Sequence, residues 1–373
     1  MDALTTPSNW QKVRLGDIGK PCMCKRVMKH QTTRYGEIPF YKIGTFGNTA
    51  DAFISKKLFL EYKTKYSFPK KGDILISASG TIGRAVIYDG KPAYFQDSNI
   101  VWIDNDETLV KNDFLFYAYS NIKWNTEHTT ILRLYNDNFR NTLIPLPPLN
   151  EQIAIANVLS DVDHYLYSLD ALILKKESVK KALSFELLSQ RKRLKGFNQA
   201  WQKVKLGDIA NYLTSNLSAE QITQQGKIKV YDVNNFIGYT NTTFISDKPY
   251  ISIVKDGSVG RVRILPPKTN ILSTMGALIA NHRTTTEFLF YLLSNFDFKN
   301  FTSGSIIPHI YFKDYKEKTI FLPPLKEQIA IANILSDLDN EIISLKNKKR
   351  QFENIKKALN HDLMSAKIRV LNK

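Results

Sequence analysis

Little in this sequence points to secretion, a membrane or a metal. Only two cysteines occur, Cys22 and Cys24. A C-x-C spacing is too tight for an easy mutual disulfide, and no second pair exists to complete a zinc site. Both are expected as reduced, non-ligating thiols, which fits the cytoplasm. No run approaches the roughly 18 consecutive apolar residues of a membrane span, and the opening MDALTTPSNW has no apolar signal core. The expected location is therefore cytoplasmic. His30, His128, His164, His282, His309 and His361 are scattered and form no H-x-x-x-H pair. There is no G-x-x-x-x-G-K-[ST] loop for ATP, and the glycine pairs in GTIG and GSVG lack dinucleotide spacing. The Asn- or Asp-Pro-Pro-aromatic tetrad of an adenine methyltransferase is missing; the prolines sit in Leu-Pro-Pro-Leu, with no side chain to hold an amino group. No catalytic residue, metal or cofactor is expected in this chain. A dispersed carboxylate nuclease site is the one catalytic arrangement the residues leave open.

What is present is a folded, basic chain. Its 373 residues suffice for two or three domains, and 43% apolar with 12% aromatic residues argue for packed cores. The net charge of +17 is spread out: +6 over residues 1–145, +2 over 146–195, +5 over 196–321 and +4 over 322–373. No tail carries it. A polyanion such as DNA or RNA is the natural partner for that field.

The chain is also written twice. Trp10–Ile18 (WQKVRLGDI) returns as Trp201–Ile209 (WQKVKLGDI), identical at eight of nine positions. Leu146–Asp163 (LPPLNEQIAIANVLSDVD) returns as Leu322–Asp339 (LPPLKEQIAIANILSDLD), identical at 15 of 18. Weaker echoes lie between: Gly80-Thr81-Ile82-Gly83-Arg84 matches Gly257-Ser258-Val259-Gly260-Arg261, and Thr129–Tyr135 aligns with Ser305–Tyr311. Near-identical ends around divergent bodies suit one scaffold presenting two different surfaces.

Periodicity supplies an α+β reading. Short apolar runs such as Asp73–Ser77 and Ala85–Tyr88, punctuated by Gly, Asn, Asp and Pro, read as strands and turns. After each Pro-Pro pair a helix is expected, with Glu151 and Glu327 in a first turn that favours acids. Apolar residues then recur at Leu159, Val162, Leu166, Leu169 and Ile173, and at Leu335, Leu338, Ile342 and Leu345. Such steps form a coiled-coil seam, interrupted at Lys176 and Lys349. Each helix could run about 45 residues, roughly 68 Å. The two stripes can satisfy each other as an antiparallel pair, or each can pack on its own domain or on a partner. The basic ends Arg191-Lys192-Arg193 and Lys348-Lys349-Arg350 read as solvated helix faces.

These features together resemble the specificity subunit of type I restriction-modification enzymes. The likeness covers nearly the whole chain in the order body, helix, body, helix, and extends to Lys71–Ser77 before GTIG and to Gly304–Ile310. Body two departs from the pattern with Val254-Lys255-Asp256, and body one lacks the Gly-Ser before Thr129. The resemblance implies target-recognition domains at 1–145 and 196–321, with spacer helices at 146–195 and 322–373. Each recognition domain would read half of a split, asymmetric target in double-stranded DNA. The helices, through Leu159, Val162, Leu166, Leu169, Leu335, Leu338, Ile342 and Leu345, would set the gap and dock two methyltransferase subunits. Translocase-nuclease (restriction) subunits would join that core. S-adenosylmethionine, ATP and magnesium would then belong to partner subunits. Candidate DNA-binding residues are Lys70, Lys71, Ser79, Thr81, Arg84, Thr129 and Arg133 in body one, and Ser258, Arg261, Arg263, Ser305 and His309 in body two. Hydroxyls and arginines beside glycines can bond phosphates, and Arg or Lys can read guanine. The residues alone leave each of these open as a solvated surface or turn side chain. They also leave open a nucleic-acid-binding scaffold outside restriction-modification, whereas the missing methyltransferase and ATP motifs speak against a catalytic restriction enzyme fused to its reader.

Overall fold

The computed structural model describes residues 9–128, 132–233 and 235–370. The chain divides into two compact units, residues 1–169 with 348–373, and residues 170–347. Each unit is a mixed α/β body carrying segments of two long helices.

The first unit is organised by an antiparallel sheet of four strands, in the order Gly19–Met23, Ile100–Asn105, Ile74–Ser77, Ala85–Ile87. The run Ile74-Leu75-Ile76-Ser77 is buried throughout. Strand alternation explains how a continuous apolar run is used. Ile74 and Ile76 enter one core with Leu15, Val101 and Phe114, while Leu75 faces a second core with Phe40, Tyr94 and Trp102. The sheet is therefore covered on both faces. A three-stranded sheet (Ala52–Ile54, Ile38–Tyr41, Tyr94–Phe95) accompanies it, the last pair being parallel. The repeated end Gln11–Arg14 pairs antiparallel with Leu143–Leu146.

The second unit repeats this plan. Its four-stranded order is Ala210–Thr214, Met275–Ala280, Tyr250–Val254, Val262–Leu265. Ile251 and Ile253 face one core, and Tyr250 and Val254 the other. Gln202–Lys205 pairs with Thr319–Leu322. A helix at Lys56–Lys65, capped by Ser55 Oγ accepting from the Leu58 amide at 3.2 Å, belongs to the first unit. Between Phe236–Thr240 and Tyr250–Val254 no helix is found among the described residues. This accounts for much of the length difference between the two bodies.

The long helices are Leu149–Leu188 and Leu325–Met364, 40 residues each rather than about 45. Inside each unit their segments run antiparallel. In the first unit Lys356 Nζ meets Asp163 Oδ1 at 2.5 Å, and the Tyr165 and Phe352 rings lie 4.6 Å apart. In the second, Lys176 pairs with Glu341 at 2.8 Å, Glu177 with Lys346 at 2.6 Å, and Lys180 with Asp339. The seam residues are used inside the protein: Leu159, Leu169, Leu335 and Ile342 are buried, and Val162, Leu166, Leu338 and Leu345 half-buried. The lysine that interrupts the first seam, Lys176, is thus matched by a carboxylate on the facing helix. Among the described residues no helix is long and apolar enough to cross a membrane.

Candidate nucleic-acid interface

In both units the two weakly repeated loops come together at one end of the central sheet. The GTIG loop joins Ile74–Ser77 to Ala85–Ile87. The Gly83 amide donates to the Ser77 carbonyl at 2.9 Å, and the Ile82 amide to the Gly80 carbonyl at 3.0 Å. In the second unit the Gly260 amide donates to the Val254 carbonyl and the Val259 amide to the Gly257 carbonyl, each at 2.9 Å. Gly83 and Gly260 adopt φ of +84° and +81°. A Cβ on Gly83 would lie 2.1 Å from Trp124 Nε1, and one on Gly260 2.7 Å from the Phe298 ring. Backbone conformation and crowding both require glycine there.

The later loop docks on this turn. In the first unit the Leu134 amide donates to the Ala78 carbonyl at 2.9 Å, and Ser79 bridges Arg133. In the second the Ile310 amide donates to the Lys255 carbonyl at 2.9 Å, and Asp256 bridges His309. The frame is the same and the side chains differ. Ser79 and Arg133 stand where the second unit has Asp256 and His309, whose Oδ1 and Nδ1 are 2.6 Å apart.

Several candidate residues share these clusters. Thr81, Arg84, Ser258, Arg261 and Ser305 are exposed on the loops. Arg84 Nη1 donates to the Phe46 carbonyl at 3.0 Å, which aims part of its guanidinium inward. Ser79 is buried and Arg133 half-buried. Arg263, half-buried on the strand after the glycine loop, lies over the Tyr231 ring at 5.3 Å. Lys70 and Lys71 sit at the other end of Ile74–Ser77, away from the glycine loop, with Lys70 Nζ 2.8 Å from Asp104. Thr129 lies outside the described residues.

Other residues escaped the sequence reading. Ile306 and Ile307, in the second unit's later loop, are 92% and 54% exposed, so apolar side chains project beside the polar candidates. The Glu-Gln pair after each Pro-Pro does more than favour a helix start. Glu151 is buried and accepts from Trp10 Nε1 at 3.0 Å and Arg369 Nη2 at 2.8 Å. Glu327 accepts from Trp201 Nε1 at 2.9 Å and Arg193 Nη2 at 2.6 Å. Arg193 therefore corrects the reading of that basic end as a solvated face. Gln152 Nε2 donates to the Pro147 carbonyl, and Gln328 Nε2 to that of Pro323, each at 2.8 Å. Tyr117 and Tyr291 donate to Asp163 and Asp339 at 2.8 and 2.9 Å. Burial, reinforced by those carboxylates, pushes both phenols well above the usual tyrosine range, so they remain donors. Every member of the glutamate, glutamine and tyrosine sets recurs at the matching place in the other half, which is the signal that could have found them, whereas Ile306 has no such counterpart.

The architecture is that of a duplicated scaffold that presents one variable loop cluster per unit, with the shared residues spent on the frame. Comparison with known proteins gives this class a family. The family model described as type I restriction modification DNA specificity domain matches residues 7–176 and again 198–354. The chain belongs to that family. A putative type I restriction enzyme specificity subunit of Haemophilus influenzae is 63% identical over 148 residues, a match spanning 39% of this chain and only 38% of that relative. The type I restriction enzyme MjaVIII specificity subunit of Methanocaldococcus jannaschii is 26% identical, the alignment covering 100% of this chain and 96% of that one. Among solved structures, the type I restriction-modification system S subunit of M. genitalium matches with a TM-score of 0.63 at 20% identity, covering 97% and 99% of the two chains. That likeness speaks to the fold, which is the α+β, twice-repeated arrangement expected from the sequence.

Proposed function

We propose that the chain is the DNA-reading subunit of a type I restriction-modification complex and performs no catalytic step itself. Each unit reads one half of a bipartite, asymmetric target, while the long helices set the gap and dock two methyltransferase subunits. Translocase-nuclease subunits join that core, and S-adenosylmethionine, ATP and magnesium act on those partners. One observation carries the reading. The two units assemble the same loop pair on the same frame, then fill it with different chemistry: Ser79 and Arg133 in one, Asp256 and His309 in the other. A common frame with unlike side chains is what two different half-sites require. Basic charge in both bodies supplies the sequence-independent attraction to phosphates. With the seam residues consumed inside the protein, partner docking falls to the other helix faces, where Ile153 and Ile329 are 46% and 48% exposed.

The test replaces residues 10–145 with the corresponding body of another family member, in cells also supplying the methyltransferase subunit. Modified-base sequencing should show one half of the target changed and the other retained. A simultaneous change in both halves overturns the modular reading.

A further inference from the structure

The first unit contains a cleft of about 540 Å³ beside the joined loops, lined among others by Arg26, Lys29, Lys42, Gln96, Asn99 and Arg133. Among the described residues its only acidic lining residue is Asp97, paired with Arg26 at 2.7 Å; Lys42 is paired with Asp51 from outside the lining at 2.8 Å. The cleft is therefore cationic, as a groove-facing surface for DNA must be. Ser98 is a non-glycine residue at φ +58°, in the left-handed region, where backbone strain persists only if the surroundings impose it. The Asn99 backbone amide donates to the Asp97 carbonyl at 2.6 Å, closing a tight turn centred on Ser98, and Arg133 Nη2 donates to the Ser98 carbonyl at 2.7 Å and to Asn99 Oδ1 at 3.4 Å.

These bonds fix the Asn99 amide. Its Oδ1 accepts from Arg133 and, at 2.8 Å, from Ser79 Oγ. Arginine can only donate, so the amide oxygen must face Arg133 and the amide nitrogen must face away. Among the described residues that nitrogen makes no hydrogen bond, and Asn99 is half-exposed on the cleft wall. An asparagine with a free oxygen and nitrogen reads adenine through N6 and N7. Asn99 has its oxygen already engaged and offers donors only. Arg133, beside it on the same wall, can offer nothing but donors. The base edge that presents two acceptors in the major groove is guanine, through O6 and N7. The second unit lacks the device. Thr274 occupies the place of Asn99, its carbonyl accepting from Lys255 at 3.1 Å as that of Asn99 accepts from Ala78 at 2.7 Å.

We propose that Asn99 and Arg133, held by Ser79 and the strained Ser98 carbonyl, form a donor pair that selects a guanine in the half-site read by the first unit. The proposal rests on the DNA-reading function above and deepens it to a base identity and a residue pair. The test uses the full chain co-expressed with its methyltransferase subunit, selecting from a duplex library randomised over both half-sites, alongside modified-base sequencing in cells. The wild-type target should contain a guanine whose replacement weakens binding roughly 10- to 100-fold. Asn99→Ala should erase most of that discrimination at this one position. Asn99→Asp, nearly isosteric and acceptor-only, should shift preference there toward cytosine, whose N4 amino group donates. Preference in the other half-site should survive in both variants, which also shows that they fold. Uniform weakening with unchanged base preference would make Asn99 a phosphate contact and overturn the proposal, as would unaltered selection. A wild-type complex with no bipartite preference would instead overturn the DNA-reading function itself.

Discussion

The buried Glu151 carboxylate gives the sharpest test of how the repeated ends hold a unit together. It is enclosed by Trp10, just before the strand Gln11–Arg14, and Arg369, from the far end of the same unit. Its side chain is 2% exposed, whereas that of Arg369 is 28% exposed. Glu151→Gln keeps the shape but replaces one acceptor oxygen with an amide donor that faces another N–H. Breaking a buried ion pair from one side costs about 3–5 kcal/mol. Arg369 regains some water, so the lower end, about 3 kcal/mol, is expected. For a unit of this size that is a fall in Tm of roughly 6–12 °C. The two units need not unfold together, so thermal scans of the full chain should be paired with hydrogen exchange. Peptides over Gln11–Arg14 and Leu143–Leu146 should lose protection while those over Gln202–Lys205 and Thr319–Leu322 keep it. Glu151→Leu combined with Arg369→Leu should destabilise by less than the sum of the single changes. A Gln variant melting within about 1 °C of the wild type, far inside the range expected for a broken buried pair, would refute the assignment of this pair as a clamp.

Further outcomes follow from local geometry. Gly257 and Gly260 share one loop and nearly equal φ, +83° and +81°, but an added Cβ meets nothing within 4 Å at Gly257 and the Phe298 ring at Gly260. Gly257→Ala should cost about 1 kcal/mol of backbone strain and Gly260→Ala clearly more, measured by urea unfolding; equal losses would contradict the crowding argument. Burial pushes the Cys24 thiol up to about 12, and it also raises Cys22, which is half-buried. Since the thiolate is the nucleophile, alkylation at pH 8.5 should modify Cys22 before Cys24 by mass spectrometry, with Cys24 labelled freely only after unfolding. Four residues inserted after both Leu169 and Asn347 extend each helix by about 6 Å and preserve its face. The methylated target should then carry a gap one or two base pairs longer with both half-sites intact, and an unchanged gap would remove the helices as the ruler.

The duplication, the order of bodies and helices, and the apolar seam are legible in the amino-acid sequence without coordinates. Those properties rest on periodicity and on identity between distant segments, such as Leu146–Asp163 and Leu322–Asp339, which need no coordinates to detect. It also placed Arg133 and His309 at matching positions, because the flanking pattern survives divergence. What those positions touch depends on how the chain folds back on itself. Glu151 and Glu327 read locally as helix-start acids, yet their partners come from residues more than a hundred positions away, and local sequence statistics carry no such information. Lys70 and Lys71 looked contiguous with the glycine loop, but an intervening strand carries them to its opposite end, since an extended chain separates residues that a short count in sequence brings close. Asn99 drew no notice as a residue type. Its significance arises only when folding saturates its oxygen and leaves its nitrogen on a cationic cleft, a consequence of hydrogen-bond geometry among Ser79, Ser98 and Arg133.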